Sequence, residues 1–165
     1  MTKLFLLLAS ISALVISSDG AALAGSANAN LPVSVVVSNN CTITTAAVTF
    51  AGYDPLSATD ADSTGGSVTI TCTKGATTSI GLDNGANASS GQRRMKDATT
   101  DYLNYFLFSD SGRTTTWGNA AGSWVVPPAA PDKTPRPYAV YGRITAGQDV
   151  PSGTYNDTVV ATVNF

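Results

Sequence analysis

Apolar residues in this chain recur at every second position far more often than at helical spacing. Val33, Val35 and Val37 alternate with Pro32, Ser34 and Val36, and the same period extends back through Leu31, Ala29 and Ala27. Such a run presents one apolar face of an extended segment. Ala46–Phe50, Ser67–Lys74, Thr78–Asp83, Tyr102–Phe108, Tyr138–Thr145 and Thr154–Phe165 are also predicted as strands. Each is rich in β-branched or aromatic residues and bounded by Gly, Pro, Asn or Asp. Turn chemistry falls between them at Tyr53-Asp54-Pro55, Thr64-Gly65-Gly66, Asp83-Asn84-Gly85, Ser109 to Gly112 and Pro151-Ser152-Gly153. Five of the eleven residues from Pro127 to Pro137 are proline. That stretch therefore reads as an extended surface connection with few ladder donors. Six or seven short strands with this punctuation predict an all-β sandwich.

The amino terminus departs from the alternating pattern. One cation, Lys3, precedes the apolar run from Leu4 to Ile16, and polar Ser17-Ser18-Asp19-Gly20 follows. This order is that of a secretory signal peptide, and the run is too short to span a bilayer. Ala22 and Ala24 fit cleavage before Gly25, while Ala27 and Ala29 fit cleavage before Asn30. The expected organisation is a signal peptide over 1–24, with an alternative end at 29, and one domain over 25–165.

Secretion changes the reading of Cys41 and Cys72, because an oxidising compartment favours a disulfide over a pair of thiols. In the chain-entropy picture, closing that loop stabilises the fold by about 3–4 kcal/mol. A catalytic thiol pair lacks Cys-x-x-Cys spacing, and two thiols without imidazole do not complete a zinc site.

Composition narrows the chemistry further. The 165 residues contain 12% charged and 43% hydrophobic positions, and all eleven acidic residues are Asp; there is no Glu and no His. Without His there is no triad base and no imidazole metal ligand. A net charge of -2 gives no basic surface for nucleic acid. Neither Gly-x-Ser-x-Gly nor Ser-x-x-Lys occurs. The expectation is a non-enzymatic protein with no cofactor and no metal. Asp60-Ala61-Asp62-Ser63-Thr64-Gly65 resembles the opening of a calcium loop, but Thr71 stands where the closing bidentate Glu would fall, so a solvated loop is expected. The Arg93-Arg94 pair with Lys96 reads as a solvated loop edge. Trp117 and Trp124 suit either a sugar-stacking platform or core and rim packing, the latter being the commoner use.

A series of motifs in one order carries a resemblance. They are Val33-Ser-Val-Val-Val-Ser-Asn-Asn-Cys41, Val48-Thr-Phe50-Ala-Gly52-Tyr53-Asp54-Pro55, and Val68-Thr-Ile-Thr-Cys72. Gly91-Gln-Arg93-Arg94-Met95, Leu103-Asn-Tyr105-Phe-Leu107 and Thr116-Trp117-Gly118 follow. Tyr141-Gly-Arg143-Ile144, Gly147-Gln148, Gly153-x-Tyr155-x-Asp157-Thr158-Val159 and a final Phe165 complete the set. Together they resemble the spore coat protein U domain family, the fold of archaic chaperone/usher (Csu-type) pilins, from about Leu31 to Phe165. Ala51 is inserted in the Phe-Gly-x-Tyr-Asp-Pro turn, and the loop from Pro127 to Pro137 matches no motif of the family.

The resemblance implies an incomplete immunoglobulin-like β-sandwich that lacks its last strand and has one disulfide, Cys41 to Cys72. It also implies assembly by donor-strand exchange into a surface fibre serving adhesion and biofilm. The implied partners are copies of the chain or sister pilins, a periplasmic chaperone and an outer-membrane usher.

The physical logic stands apart from the family. A sandwich missing an edge strand exposes an apolar groove and unpaired backbone groups, and an added extended peptide repairs both. Ala27, Ala29, Leu31, Val33 and Val35 are the expected donor face of a segment spanning about 25–37. Burying about 600 Å2 of it would contribute on the order of 15 kcal/mol before entropy costs. The same residues also fit an ordinary first strand within their own subunit, and the division of 25–44 between the two roles stays open. A spore-coat or envelope-shell protein and a tip adhesin with a ligand site near Trp117 to Pro137 are the alternatives.

Overall fold

The computed structural model describes residues 24–63 and 65–165. The expected signal peptide up to residue 23, and Thr64, lie outside the described residues. The chain divides into two units, 1–35 and 36–165. In the first, residues 24–35 form no regular structure, and Leu31, Val33 and Val35 are 85%, 88% and 84% exposed.

The second unit is all β, with ten strands and no helix among the described residues. They are β1 Cys41–Ala46, β2 Ala61–Asp62, β3 Ser67–Cys72, β4 Ser79–Leu82 and β5 Arg94–Lys96. Next come β6 Tyr102–Asn104, β7 Phe106–Phe108, β8 Arg136–Ala139, β9 Tyr141–Ile144 and β10 Ala161–Asn164. All ladders are antiparallel, in the orders β1-β3-β8, β10-β4, β2-β9-β7 and β5-β6. Val68, Ile70 and Cys72 point from alternate positions of β3 into the core, where they meet Ile80, Leu82, Leu103, Leu107, Trp117 and Ile144. This is the incomplete immunoglobulin-like sandwich that the motifs implied.

Two predicted strands are real but change partner midway. Within 102–108 the chain pairs first with β5 and then with β9, and at the changeover Tyr105 N donates to Arg93 O at 3.1 Å. Within 138–145 the break falls at Val140, whose N donates to Gly66 O as the chain leaves β3 for β7. Buried side chains at Tyr105 and Val140 keep the alternation intact across each break, so periodicity alone reads one strand where the sheet has two. From 154 to 165 only Ala161–Asn164 forms a regular ladder, although Asn156 bridges Lys96 and Thr158 O accepts from Ala86 N.

Ala46–Phe50 is not a strand. The ladder lies earlier, at Cys41–Ala46, because pairing Cys41 opposite Cys72 fixes the register and turns Ile43 toward the core. Phe50 makes one bridge to Ser63. The disulfide joins that directly opposed pair, with Cα atoms 4.1 Å apart. It clips β1 to β3 at one end of the ladder.

Candidate functional site

β1 and β10 each have a ladder on one side only. β1 bonds to β3 and β10 bonds to β4; on their other edges, no backbone partner reaches Cys41–Ala46 or Ala161–Asn164 among the described residues. Cα atoms of the two strands come within 8 Å of each other, yet no ladder joins them. The result is a seam with free donors and acceptors along both lips, the arrangement that sheet proteins ordinarily suppress.

At one end the seam opens into a cleft. It is about 330 Å3, reaches Thr45 and Ala46 of β1 and Ala161 of β10, and lies over Val68, Leu82, Tyr105, Leu107 and Val140. A second lobe of about 500 Å3 continues over Leu103, Ile144 and Val150. Val48, Phe50, Met95, Tyr155 and Asn156 line both lobes, so they form one groove. Along it, 45–50 leads from the first lobe toward the second, while 150–161 runs from the second toward the first. The two walls are thus antiparallel. Tyr155, Asp157, Val159, Ala161 and Val163 alternate as half-buried positions with exposed ones between them. That wall offers a strand-like row of side chains and pairs only at its ends and on its far side.

Polar groups beneath the groove fix its lining in place. Tyr105 donates its hydroxyl proton to Asp157 Oδ2 at 2.7 Å, and Asp157 Oδ1 accepts from both the backbone and side-chain nitrogens of Asn87 at 3.1 Å. Burial, followed by the hydrogen bond to Asp157, pushes Tyr105 far above the ordinary phenol range, so it stays protonated and donating. Gly85, at φ 83°, leaves the space that the Asp157 carboxylate occupies; a Cβ there would collide with it. At the far lobe, Gln148 N donates to Tyr53 Oη at 2.7 Å and Gln148 Oε1 accepts from Asn104 N at 2.7 Å. Asp54 Oδ1 caps its own turn by accepting from Leu56 N. The motif residues at 53–55, 148 and 155–157 therefore work as scaffold for the groove.

Arg93 corrects an expectation. It is 5% exposed, not a solvated loop edge. Its Nε donates to Asp83 O and its Nη2 to Leu82 O, Asp83 O and Trp117 O, at 2.6–2.9 Å. Those carbonyls converge at the end of β4, where only a fork of donors can serve them all; burial lowers the guanidinium pKa from its usual value. Arg94 and Lys96 belong to β5, and Arg94 lies 4.0 Å over the Tyr102 ring. Asp60 and Asp62 are exposed, as expected of a solvated stretch, but their carboxylates are ion-paired. Arg143 Nε stands 2.8 Å from Asp62 and 3.6 Å from Asp60, and Arg113 stands 3.1 Å from Asp62.

The structure places Ala27, Ala29, Leu31, Val33 and Val35 on the exposed 24–35 segment. Sequence reasoning named these residues as the expected donor face but did not name the residues that line the groove. The half-buried alternation from Tyr155 to Ala161 was their available signal.

Comparison with known proteins supplies the lineage. The profile of the Spore Coat Protein U domain matches residues 27–162. "Protein U" of Myxococcus xanthus is 42% identical over 157 residues, an alignment that covers 86% of this chain and 87% of that protein. The fold is also similar, at a TM-score of 0.58 and 26% identity, to a chain of the CsuC–CsuE chaperone–tip adhesion subunit pre-assembly complex from the archaic chaperone-usher Csu pili of Acinetobacter baumannii. That match covers 78% of this chain but only 40% of the other. On the extent of the profile match and of the Protein U alignment, this chain belongs to the spore coat protein U domain family.

Proposed function

We propose that this chain is a structural, non-enzymatic subunit of a secreted chaperone/usher-type pilus. The observation that carries the reading is the seam between β1 and β10, two unpaired backbone edges that open at Ala46 and Ala161 into a continuous groove. An extended peptide that drops every second side chain into that groove satisfies both edges at once. Residues 25–37 have the required alternation at Ala27, Ala29, Leu31, Val33 and Val35. Given by one copy to the next, the segment makes a head-to-tail contact that does not close and therefore grows a filament.

Insertion has a geometric demand. Two strands flanking a third sit about 9.5 Å apart, so β1 and β10 must spread from their present approach as the donor enters. A periplasmic chaperone that lends a temporary strand holds the seam open, and an outer-membrane usher exchanges it for the tail of the next subunit. The subunit travels through the periplasm, with 1–24 as its signal peptide, to a surface fibre serving adhesion and biofilm. The likeness to a chain of a chaperone–subunit complex supports this reading. The likeness to Protein U favours a second one, in which the same exchange builds a coat or envelope shell without an usher.

Truncation to begin at residue 38 tests the proposal. The truncated subunit is expected to be recovered with its chaperone and to form no fibres by electron microscopy. Fibres assembled from it would overturn the donor role of 25–37.

A further inference from the structure

The two tryptophans that composition singled out are separated by the fold. Trp117 is fully buried, with its Nε1 donating to Ile80 O at 2.9 Å. Trp124 is 39% exposed. It lies on the outer side of β4 over Gly81; a Cβ at Gly81 would stand 3.4 Å from Trp124 Cδ1 and 3.0 Å from Asn119 Cβ. The missing side chain lets the indole edge and the Asn119 side chain share one shelf.

Asn119 also lines a pocket of about 310 Å3 whose lining is separate from the seam except at Tyr105, a volume within the ~300–1,000 Å3 range of small-ligand sites. Its walls are rich in groups that both give and accept hydrogen bonds. The side chains of Asn84, Thr116 and Asn119 are exposed and have no other partner among the described residues. Gln92 Nε2 is engaged by Arg93 O and Tyr105 O, which leaves Oε1 as an acceptor. Arg93 lines the pocket too, 95% out of solvent by its 5% exposure. Its Nε and Nη2 are taken up by carbonyls, and Nη1 has no protein acceptor among the described residues.

The loop carrying Asn119 is already folded back on itself. Gly118 N donates to Ser123 O at 3.0 Å, and Ser123 Oγ donates to Ala120 O at 2.8 Å. Among the described residues no carboxylate lines the pocket, and Arg93, the one cation among them, faces Asp83 and Asp157. Carboxamides and a hydroxyl beside a half-exposed indole match vicinal sugar hydroxyls and the apolar face of a pyranose ring. The local charge favours neither a phosphate nor an acidic chain.

We propose that this pocket and the Trp124 shelf form a binding site for an uncharged glycan, with hydroxyls held by Asn84, Asn119, Thr116 and Arg93 Nη1 and a sugar ring against Trp124. The site does not depend on filament assembly, so it can fail while the pilus reading stands.

The test titrates the full-length secreted protein with maltohexaose, cellohexaose and an alginate hexasaccharide, read by calorimetry and tryptophan emission. At least one neutral hexasaccharide is expected to bind and to change the emission of the exposed indole. Trp124→Ala is expected to weaken that binding roughly tenfold and Asn119→Ala several-fold, with Trp124→Phe keeping most of it. Thermal melting checks that each variant is folded. No binding of either neutral sugar at about 10 mM, binding of the alginate fragment alone, or unchanged affinity in a folded Trp124→Ala variant would each overturn the site.

Discussion

Two edges of the same molecule meet water in opposite ways. β8 lies at the rim of the β1-β3-β8 sheet and carries Pro137, which stands opposite Thr69. Proline has no N–H, so its place in the ladder is a position whose backbone nitrogen points away from β3, and the outer edge loses a donor there. Pro135 lies just before the strand, and Arg136 sends Nη1 back to Pro128 O at 3.0 Å. β2 is protected differently: it is two residues long, and its Asp62 is engaged by Arg143 and Arg113. β1 and β10 have neither device. β1 reads Cys-Thr-Ile-Thr-Thr-Ala and β10 reads Ala-Thr-Val-Asn, with no proline and no charge. The difference teaches that edge protection in this fold is selective: among the described residues, the two edges left bare are those whose Ala46 and Ala161 ends open onto one groove.

The comparison can be broken from either side. The largest effect is expected from Cys41→Ser combined with Cys72→Ser. Removing the clip leaves β1 held to β3 by its ladder alone and costs about 3–4 kcal/mol, measured by denaturant unfolding and by yield of the secreted protein. A stable free monomer without the disulfide would count against its role in holding the seam. Arg93→Met leaves the carbonyls of Leu82, Asp83 and Trp117 without their donors. The expected loss is about 3 kcal/mol, with exchange of β4 and β10 amides speeding up first.

Pro137→Thr restores an edge N–H on β8. Stability is expected to change by less than about 0.5 kcal/mol, but sedimentation should reveal a new concentration-dependent lateral association. Unchanged monomer content at high concentration would mean that proline is not what guards this edge.

The smallest effect belongs to Asp62. Its hydrogen bond to Arg143 lowers its pKa, aided by the Arg113 charge and opposed by burial. A lowered folded pKa stabilises the fold above the ordinary carboxylate range, and the contribution is lost as pH falls through the folded value. With the Asp62 side chain 38% exposed, solvent screening reduces it to about 0.5 kcal/mol or less. Asp62→Asn should flatten the acid limb of the stability profile below about pH 4 by that amount.

The sequence revealed some of this better than the rest. Alternation in 67–72, 79–82 and 161–164 and the pair Cys41/Cys72 could be read directly, because period and oxidation state are local or compositional properties. The changes of partner at Tyr105 and Val140 could not, since both residues keep the strand period while their neighbours change. Arg93 looks like a surface charge because nothing nearby in sequence shows that carbonyls from residues 82, 83 and 117 meet around it. The exposed apolar alternation at Leu31, Val33 and Val35, the proposed donor face, was visible in the sequence. The groove itself was not, because its walls come from segments about a hundred residues apart, near 45–50 and 155–161.

The central claim is that the β1/β10 seam is unfilled and takes a strand from another polypeptide. Its most direct test adds a synthetic peptide of residues 25–37 to the subunit truncated at residue 38 and follows amide hydrogen exchange at Thr42–Ala46 and Ala161–Asn164. Slowed exchange on both strands together, with a raised melting temperature, is the predicted result. Amides on those edges that are already protected without the peptide, or that stay unprotected at saturating peptide, would contradict it.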